Sequence, residues 1–258
     1  MTQKGQPDGH RDQTSVHPPV SRAEKVSLRL ARAIVRQLAV LPRGASLPSE
    51  AEMISSFGAS RGSVREALRI LEVQGLITIR PGPGGGPVLV GPQSSSLGRT
   101  EALFFHLLQA RYTHLLRAQA ALEPLMARLA AANPDRDAVR SLEQFTAIGT
   151  DEINPFTYPD CASAFHTALI AASGNPALAL ICQSLCDISR AHISAHGGLH
   201  SGPADRRATF DDHAAIASAV LAGSAATAEA RMTAHMEVVY SRVLAAGNGL
   251  IEEIVDWH

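Results

Sequence analysis

The sequence predicts a mainly α-helical protein in two parts: three helices with a small β-hairpin, and then an all-α antiparallel bundle of six or seven helices. Aromatic residues make up only 4% of the 258-residue chain, whereas alanine is abundant, which favours close-packed helices over a strand-rich sandwich. Apolar residues also recur at three- and four-residue spacing along most of the chain. One glycine-rich region between residues 76 and 90 breaks this periodicity. The composition therefore argues against an all-β fold.

The distribution of charge divides the chain into two domains. Residues 20–92 contain ten Lys and Arg against five Asp and Glu, whereas residues 93–258 contain eleven against seventeen. A basic domain joined to an acidic one is typical of a protein that places one end on a polyanion such as nucleic acid. Uncharged serines and a glycine between the two parts predict an exposed linker at 93–100. We therefore expect one domain at 20–92 and a second at 101–258.

The first 19 residues are rich in Gln, Gly, Pro, Asp and His and contain no apolar run. They predict a disordered tail at 1–19 and show no signal-peptide pattern. The longest uncharged apolar stretch, 214–228, has 15 residues, fewer than the roughly 20 that span a bilayer. The three cysteines form no CxxC pair, which fits a reducing compartment. We expect a cytoplasmic protein with no membrane partner.

The basic domain begins with three predicted helices. Apolar residues spaced by three and four from residue 21 to 40 predict a first amphipathic helix. Ser49, with Glu52 three residues later, forms a capping box that opens a two-turn second helix. Ser60 caps a third helix, which ends where Gly75 suits a left-handed stop. Only a short turn separates the second helix from the third.

The third helix carries a row of arginines. Arg61, Arg65 and Arg69 are spaced by four, so they share one exposed face, and Ser60 and Ser63 lie near the start of that helix. Guanidinium groups bind guanine edges or phosphates, and hydroxyl groups at a helix N-terminus suit backbone phosphates. A solvated charged face would be the better interpretation of an isolated helix with this pattern. The neighbouring elements favour a recognition helix instead.

A predicted β-hairpin follows the third helix. Residues 76–80 and 88–90 are β-prone, and the segment 81–87 between them consists of four glycines and three prolines. A nucleotide-phosphate loop is a poor alternative, because no Lys-Ser or Lys-Thr pair follows the glycines and no helix begins after them. Three helices with such a hairpin predict a winged helix-turn-helix.

Three strings of residues in this domain carry a family pattern. They are Leu47-Pro48-Ser49-Glu50, residues 60–69 with the sequence SRGSVREALR, and Gly75-Leu76-Ile77. Together they resemble the GntR-type winged helix-turn-helix of bacterial transcription regulators, over about residues 21–92. The resemblance implies that the domain binds a double-stranded DNA operator.

The resemblance also implies which residues contact DNA. The residues at matching positions are Ser60, Arg61, Ser63, Arg65 and Gly82. The two arginines would touch operator DNA, the two serines would contact phosphate, and the glycine would reach the minor groove from the wing. Arg69 joins them because it continues the arginine row. Several relatives carry a DNA-contacting arginine where this chain has Ala51, so we expect one contact fewer here.

The acidic domain contains turn-forming residues at regular intervals, which mark helix ends. Turn-forming residues interrupt its apolar periodicity at Asn133-Pro134, Asn154-Pro155, Ser173–Pro176, Gly197-Gly198 and Gly223-Ser224. These breaks predict the six or seven helices of the bundle. Among eleven histidines, His166, His213 and His235 each fall on a different predicted helix. Any one of them alone would more often be solvated or hydrogen-bonded to a carbonyl than bound to a ligand.

A second family resemblance gives these histidines a role. Residues 117–132, Phe165-His166 with Gly174-Asn175, and the run that begins at His213 look like the FCD ligand-binding domain of the FadR-like branch of GntR regulators. This resemblance covers about residues 101–246. Many relatives hold a divalent metal with one Asp and three His, and the three His match His166, His213 and His235. Three imidazoles favour zinc or nickel over magnesium or calcium.

Two departures from the FCD pattern affect the predicted effector site. The metal-ligating Asp lies four residues before the first His in relatives, and this chain has Ala162 there, while Asp160 faces elsewhere on a regular helix. Gln119 stands where many relatives have an arginine that pairs with an acid effector. Gln119 and Asn175 are the predicted effector-binding residues, with a small organic acid as the candidate effector and three His as the candidate metal ligands.

These observations predict a homodimeric, DNA-binding transcription regulator, a repressor by family habit, whose operator affinity a small-molecule effector controls. A constitutive DNA-binding protein with a non-functional sensor pocket is the first alternative, because of Ala162 and Gln119. A tethered metalloenzyme is the second, but the chain has no His-Glu-x-x-His helix to supply a partnered base. We therefore predict that the protein is not an enzyme.

Overall fold

The computed structural model describes residues 22–82, 84–147, 157–196, 202–245 and 249–257. The chain forms two compact units, Met1–Gly91 and Pro92–His258, and each has its own core. The predicted tail at 1–19 and the predicted breaks at Asn154-Pro155 and Gly197-Gly198 lie outside the described residues. In the part of the chain that is described, no helix is long and apolar enough to cross a membrane.

The first unit has three helices and a two-stranded antiparallel hairpin, as predicted. Its elements are α1 (Arg22–Leu38), α2 (Glu50–Phe57), α3 (Arg61–Val73), β1 (Ile77–Arg80) and β2 (Gly86–Leu89). In the hairpin, Ile77 pairs with Leu89 and Arg80 pairs with Gly86. The order and size of these elements confirm the predicted winged helix-turn-helix.

The core of the first unit lies between α1, α2 and α3. Ile34 of α1, Met53 of α2 and Leu68 of α3 are almost fully buried, and Ile77 closes the core from the hairpin. Burying one such side chain stabilises a fold by about 1.5–3 kcal/mol. This packing fixes which face of α3 points inward.

Helix caps hold the turn between α2 and α3. The Ser49 N–H donates to Glu52 Oε2 at 2.7 Å, and the Glu52 N–H donates to Ser49 Oγ at 3.3 Å. These two bonds are the predicted capping box. Gly58 ends α2 in the left-handed conformation, with φ of +59°, and Ser60 caps α3 by accepting from the Ser63 N–H at 3.2 Å. Each cap contributes about 0.5–2 kcal/mol.

The second unit contains seven α-helices among its described residues. They are α4 (Ser94–Leu107), α5 (Tyr112–Ala132), α6 (Arg136–Arg140), α7 (Tyr158–Ala172), α8 (Pro176–Ala195), α9 (Pro203–Leu221) and α10 (Ala225–Ala245). Short 3-10 turns occupy Glu143–Phe145 and Leu250–Glu252. Helix α5 is central, since it packs against α7, α8, α9 and α10. This arrangement confirms the predicted helical domain.

The predicted linker at 93–100 is wrong, because Ser94–Leu107 is helix α4. Its small residues permit close contact with α8 and do not make the segment flexible. Gly98 is buried, and a Cβ atom there would lie 3.3 Å from Ile188 Cγ1. The Ser94 hydroxyl donates to Asp187 Oδ2 at 2.6 Å. Serine and glycine occur both in linkers and at tight helix–helix contacts, so composition alone misassigned this segment.

The close contact of α4 with α8 predicts the effect of enlarging Gly98. We expect Gly98→Leu to destabilise the second unit, because overpacking costs about 1–3 kcal/mol and exceeds the roughly 1 kcal/mol gained in helix propensity. Thr100→Leu, at an exposed position on the same helix, should leave the melting temperature unchanged or raise it. Equal melting temperatures for both variants, measured by circular dichroism, would contradict the helix contact.

Candidate functional site

The arginine row of α3 is exposed, and each arginine has a different environment. Arg69 makes a two-pronged pair with Glu66, from Nε to Oε2 at 3.0 Å and from Nη2 to Oε1 at 2.8 Å. Arg65 Nε donates to Oε2 of Glu50, the first residue of α2, at 2.9 Å. Among the described residues, no carboxylate lies within ion-pair distance of Arg61. On this face, the guanidinium of Arg61 is unpaired within the described part of the chain, that of Arg65 is held through Nε by Glu50, and that of Arg69 is paired with Glu66.

The other residues predicted to contact DNA lie at the start of α3 and in the hairpin. Ser60 and Ser63 are exposed or half-buried, with their hydroxyl oxygens 3.0 Å apart. Gly82 has a φ of +93° and open space around the position of a Cβ atom. That φ favours glycine, so the loop conformation explains the residue type there.

A cavity of about 500 Å³ lies in the second unit and is bounded by α5, α7, α8, α9 and α10. Four of the residues singled out from the sequence line it: Gln119, Ala162, His166 and His235. Polar and apolar side chains are mixed in its wall, which is typical of a small-molecule site. Asp160 is exposed and does not line the cavity.

The three predicted metal ligands come together beside this cavity. Their ligand nitrogens all lie within 4.8 Å of one another. The Nε2 atoms of His213 and His235 are 3.2 Å apart, and both side chains are almost fully buried. Two nitrogens bound to one tetrahedral zinc at about 2.0–2.1 Å are separated by roughly 3.4 Å. The donor set therefore fits a zinc-class ion, with three protein ligands and one open position.

In two of the three histidines, the Nδ1 atom faces a carboxylate oxygen. His166 Nδ1 is hydrogen-bonded to Glu123 Oε2, and His235 Nδ1 lies 3.3 Å from Asp212 Oδ2. Metal-binding histidines commonly use their second ring nitrogen in this way, which fixes the ring orientation. These contacts leave Nε2 as the free nitrogen of His166. The His213 ring is instead stacked on Phe165, with centroids 4.0 Å apart.

Burial and charge set the protonation of the cluster. Burial lowers the pKa of His213 well below its ordinary value, and the nearby rings of His166 and His235 lower it further. Burial also lowers the pKa of His235, although Asp212 opposes the shift. Burial acts in the same direction on His166, but the Glu123 carboxylate outweighs it and raises that pKa. Two of the rings are thus held neutral, the form that binds metal.

The predicted effector-binding residues have different positions. Gln119 lines the cavity, and its Nε2 donates to Leu185 O at 3.1 Å and to Ser189 Oγ at 2.7 Å. Asn175 is not among the cavity-lining residues. It caps α8, since its Oδ1 accepts from the Leu178 N–H at 3.1 Å. The Gly174-Asn175-Pro176 motif therefore marks a helix junction, and the prediction of an effector contact at Asn175 has no support in the geometry.

The structure places residues at the site that the sequence analysis did not name. Glu123 is 2% exposed and contacts His166, and Asp212 lies beside His235. Arg190 also lines the cavity, where its Nη1 donates to Ser163 Oγ at 3.0 Å. One sequence signal was available, because a Glu in the middle of an apolar helix stretch needs a partner if it is buried.

The chain matches two protein-family models. Residues 22–85 match the bacterial regulatory proteins of the gntR family, and residues 114–238 match the FCD domain. The chain therefore belongs to the GntR family of bacterial transcription regulators and carries an FCD domain, as its motifs predicted. Members of this family are regulators rather than enzymes, which confirms the prediction that the protein is not an enzyme.

Proteins similar to this chain are also named as transcriptional regulators. The HTH-type transcriptional regulator Rv0494 of Mycobacterium tuberculosis is 29% identical over 90% of this chain and 95% of its own length. The HTH-type transcriptional repressor NanR of Enterobacter is 26% identical over 80% of each. The solved structure of Streptococcus agalactiae GntR matches with a TM-score of 0.61 and 23% identity. The match covers 85% of this chain and 99% of that chain. That structure supports the fold.

The Glu123–His166 contact predicts how metal affinity depends on a residue that does not itself bind the ion. We expect Glu123→Gln to weaken zinc binding about 10- to 100-fold, because the amide no longer supports the His166 ring as a carboxylate does. Asp160→Asn removes an exposed carboxylate from the same wall helix as His166 and should leave the affinity unchanged. Zinc competition against a chelator measures both; equal affinities would contradict the role of Glu123.

Proposed function

We propose that this GntR-family regulator is a repressor that binds a double-stranded operator through α3 and the hairpin wing, and that an effector in the histidine cavity controls this binding. The observation that carries the proposal is the exposed arginine row of α3, in a unit whose hairpin loop contains Gly82. Such a helix suits the major groove, where guanidinium groups reach guanine edges and phosphates.

The contacts of the arginines support a division of roles on DNA. Glu50 restrains Arg65 through Nε and leaves its two terminal nitrogens for a base or a phosphate. Arg61 has a free guanidinium at the first position of α3. Arg69 must give up its pair with Glu66 to bind DNA. Arg65 is therefore the most preorganised of the three, and Arg69 the weakest contributor.

We propose a homodimer as the functional form. Two recognition helices related by two-fold symmetry would read the two halves of a roughly palindromic operator. Phe104, Leu107 and Leu108 near the end of α4 expose more than half of their surface, and an exposed apolar patch of this kind suits cover by a second copy of the chain. The repressor role is supported by the name of the NanR relative. The site of action would be the cytoplasm, where the operator is.

The cavity supports control by a small organic acid. When bound to His166, His213 and His235, a zinc-class ion would supply a Lewis-acidic position open to a carboxylate. Ala162 faces the cavity where relatives hold a metal-binding Asp, which leaves room for such a ligand. Gln119 brings no charge, but Arg190 of α8 lines the cavity, with its Nη2 also paired to Asp187 Oδ1 at 3.0 Å. The effector changes operator affinity only as far as it prefers one state of the dimer.

The DNA-binding role predicts the effect of removing Arg65. Arg65→Ala should lower operator affinity about 10- to 100-fold, because one good guanidinium contact to a base contributes about 1–3 kcal/mol. Arg36→Ala, an exposed arginine of α1 outside the row, is the matched control. Binding is measured by gel shift with an operator selected from random duplexes.

Light scattering in the same experiment checks the assembly. The wild type and both variants should have the mass of two chains. Operator affinity unchanged by Arg65→Ala would overturn the assignment of α3 as the recognition helix. A mass of one chain for the wild type would overturn the dimer.

The effector role predicts a ligand-linked change in stability. With zinc present, at least one member of a panel of small mono- and dicarboxylates should raise the melting temperature of the second unit, because a ligand that binds only the folded state stabilises it. Arg190→Gln should reduce this rise, and Arg140→Gln, at an exposed residue of α6 outside the cavity, should not. No rise with any carboxylate would favour the alternative of a constitutive DNA-binding protein with a non-functional pocket.

A further inference from the structure

A second cluster of potential metal ligands lies on the other face of the C-terminal half of α8. His192 and His196 are one helical turn apart, and Glu253 approaches them from the C-terminal segment 249–257. One ligand atom from each of the three lies within 4.8 Å of the others. These residues border a cavity of about 400 Å³ that shares no lining residue with the histidine cavity of the FCD domain. The two clusters are therefore separate.

The side chains of this cluster are oriented by their surroundings. The His192 ring is 8% exposed and stacks on Tyr112, with centroids 3.5 Å apart and an angle of 10°. The His196 Nδ1 lies 2.9 Å from the backbone oxygen of His192, which leaves Nε2 for a ligand. Histidines four residues apart on a helix share one face, and this spacing suits two ligands of one ion.

The third donor is placed by a backbone that is held on both sides. The Tyr112 N–H donates to Glu253 O at 3.2 Å, and the Val255 N–H donates to Ala110 O at 2.8 Å. The Val255 side chain is fully buried. The segment around Glu253 is thus anchored to α5 and to the turn before it, and the carboxylate is directed at α8.

The spacing of the donors fits an ion between them better than a direct contact. His192 Nε2 and Glu253 Oε2 are 3.7 Å apart, longer than the 2.7–3.2 Å range of N–H···O hydrogen bonds. Nitrogen and oxygen ligands at about 2.0–2.2 Å from one tetrahedral zinc ion are roughly 3.4 Å apart, so a small shift of the exposed Glu253 side chain would seat both donors on one ion. Two imidazoles and one carboxylate are also a known ligand set for zinc, with a fourth position left for water.

We propose that His192, His196 and Glu253 bind a second divalent ion of the zinc class, which fastens the C-terminal segment 249–257 to α8. The ion joins two elements that are about 60 residues apart in the chain. Binding therefore stabilises the end of the chain against α8 and α5, independently of any metal or effector in the histidine cavity.

The single tryptophan reports on this site. Trp257 is the only tryptophan of the chain, is half-exposed, and lies four residues after Glu253 on the same segment. Metal-free full-length protein is titrated with zinc, while Trp257 fluorescence is recorded and bound zinc per chain is counted by equilibrium dialysis. The variants are Glu253→Gln and His196→Ala, both at exposed positions. Glu252→Gln is the control, since it removes the adjacent exposed carboxylate, which pairs with Arg111.

The expected result is a loss of one bound zinc per chain in Glu253→Gln and in His196→Ala relative to the wild type, together with loss of the Trp257 response. Glu252→Gln should keep both. If the histidine cavity binds no metal, the wild-type count falls from two to one, but the difference of one between wild type and variant remains. The same zinc count in the wild type and in Glu253→Gln overturns the proposal.

Discussion

The buried carboxylate of Glu123 is the constraint on which the effector-binding unit depends. A carboxyl group that is 2% exposed destabilises a fold unless a hydrogen-bonding partner compensates its lost hydration. The partner is His166, and the contact ties the central helix α5 to α7. His213 and His235 then pack beside His166 from α9 and α10. The polar cavity therefore lies beside the apolar core that the same four helices share, which includes Ala127, Phe165, Ile216 and Met232.

In the DNA-binding unit, contacts between residues close in the sequence determine which face of α3 is exposed. The Ser49–Glu52 capping box and the left-handed Gly58 set the turn from α2 to α3. The buried face of α3, with Val64 and Leu68, then forces the arginine row outward. Fold stability and DNA-binding chemistry occupy opposite sides of one helix.

Opposite faces of the C-terminal half of α8 border two different histidine clusters. At the histidine cavity the three rings come from α7, α9 and α10, and α8 contributes Arg190 to the wall. On the opposite face, α8 and its C-cap supply His192 and His196, while the segment 249–257 supplies the carboxylate of Glu253. The proposed effector site and the proposed second metal site would thus use opposite faces of one helix.

Local features of this protein could be predicted from the order of its residues. The caps at Ser49 and Ser60 and the arginine row depend on residues three or four apart, and the family motifs identified the three histidines. Contacts between distant segments could not be predicted. The pairing of Glu123 with His166 spans 43 residues, and Gly98 packs against Ile188 of a helix far along the chain. Periodicity and capping depend on residues close in the sequence. The partner of a buried polar group or of a small residue depends on which helices pack together in the folded protein.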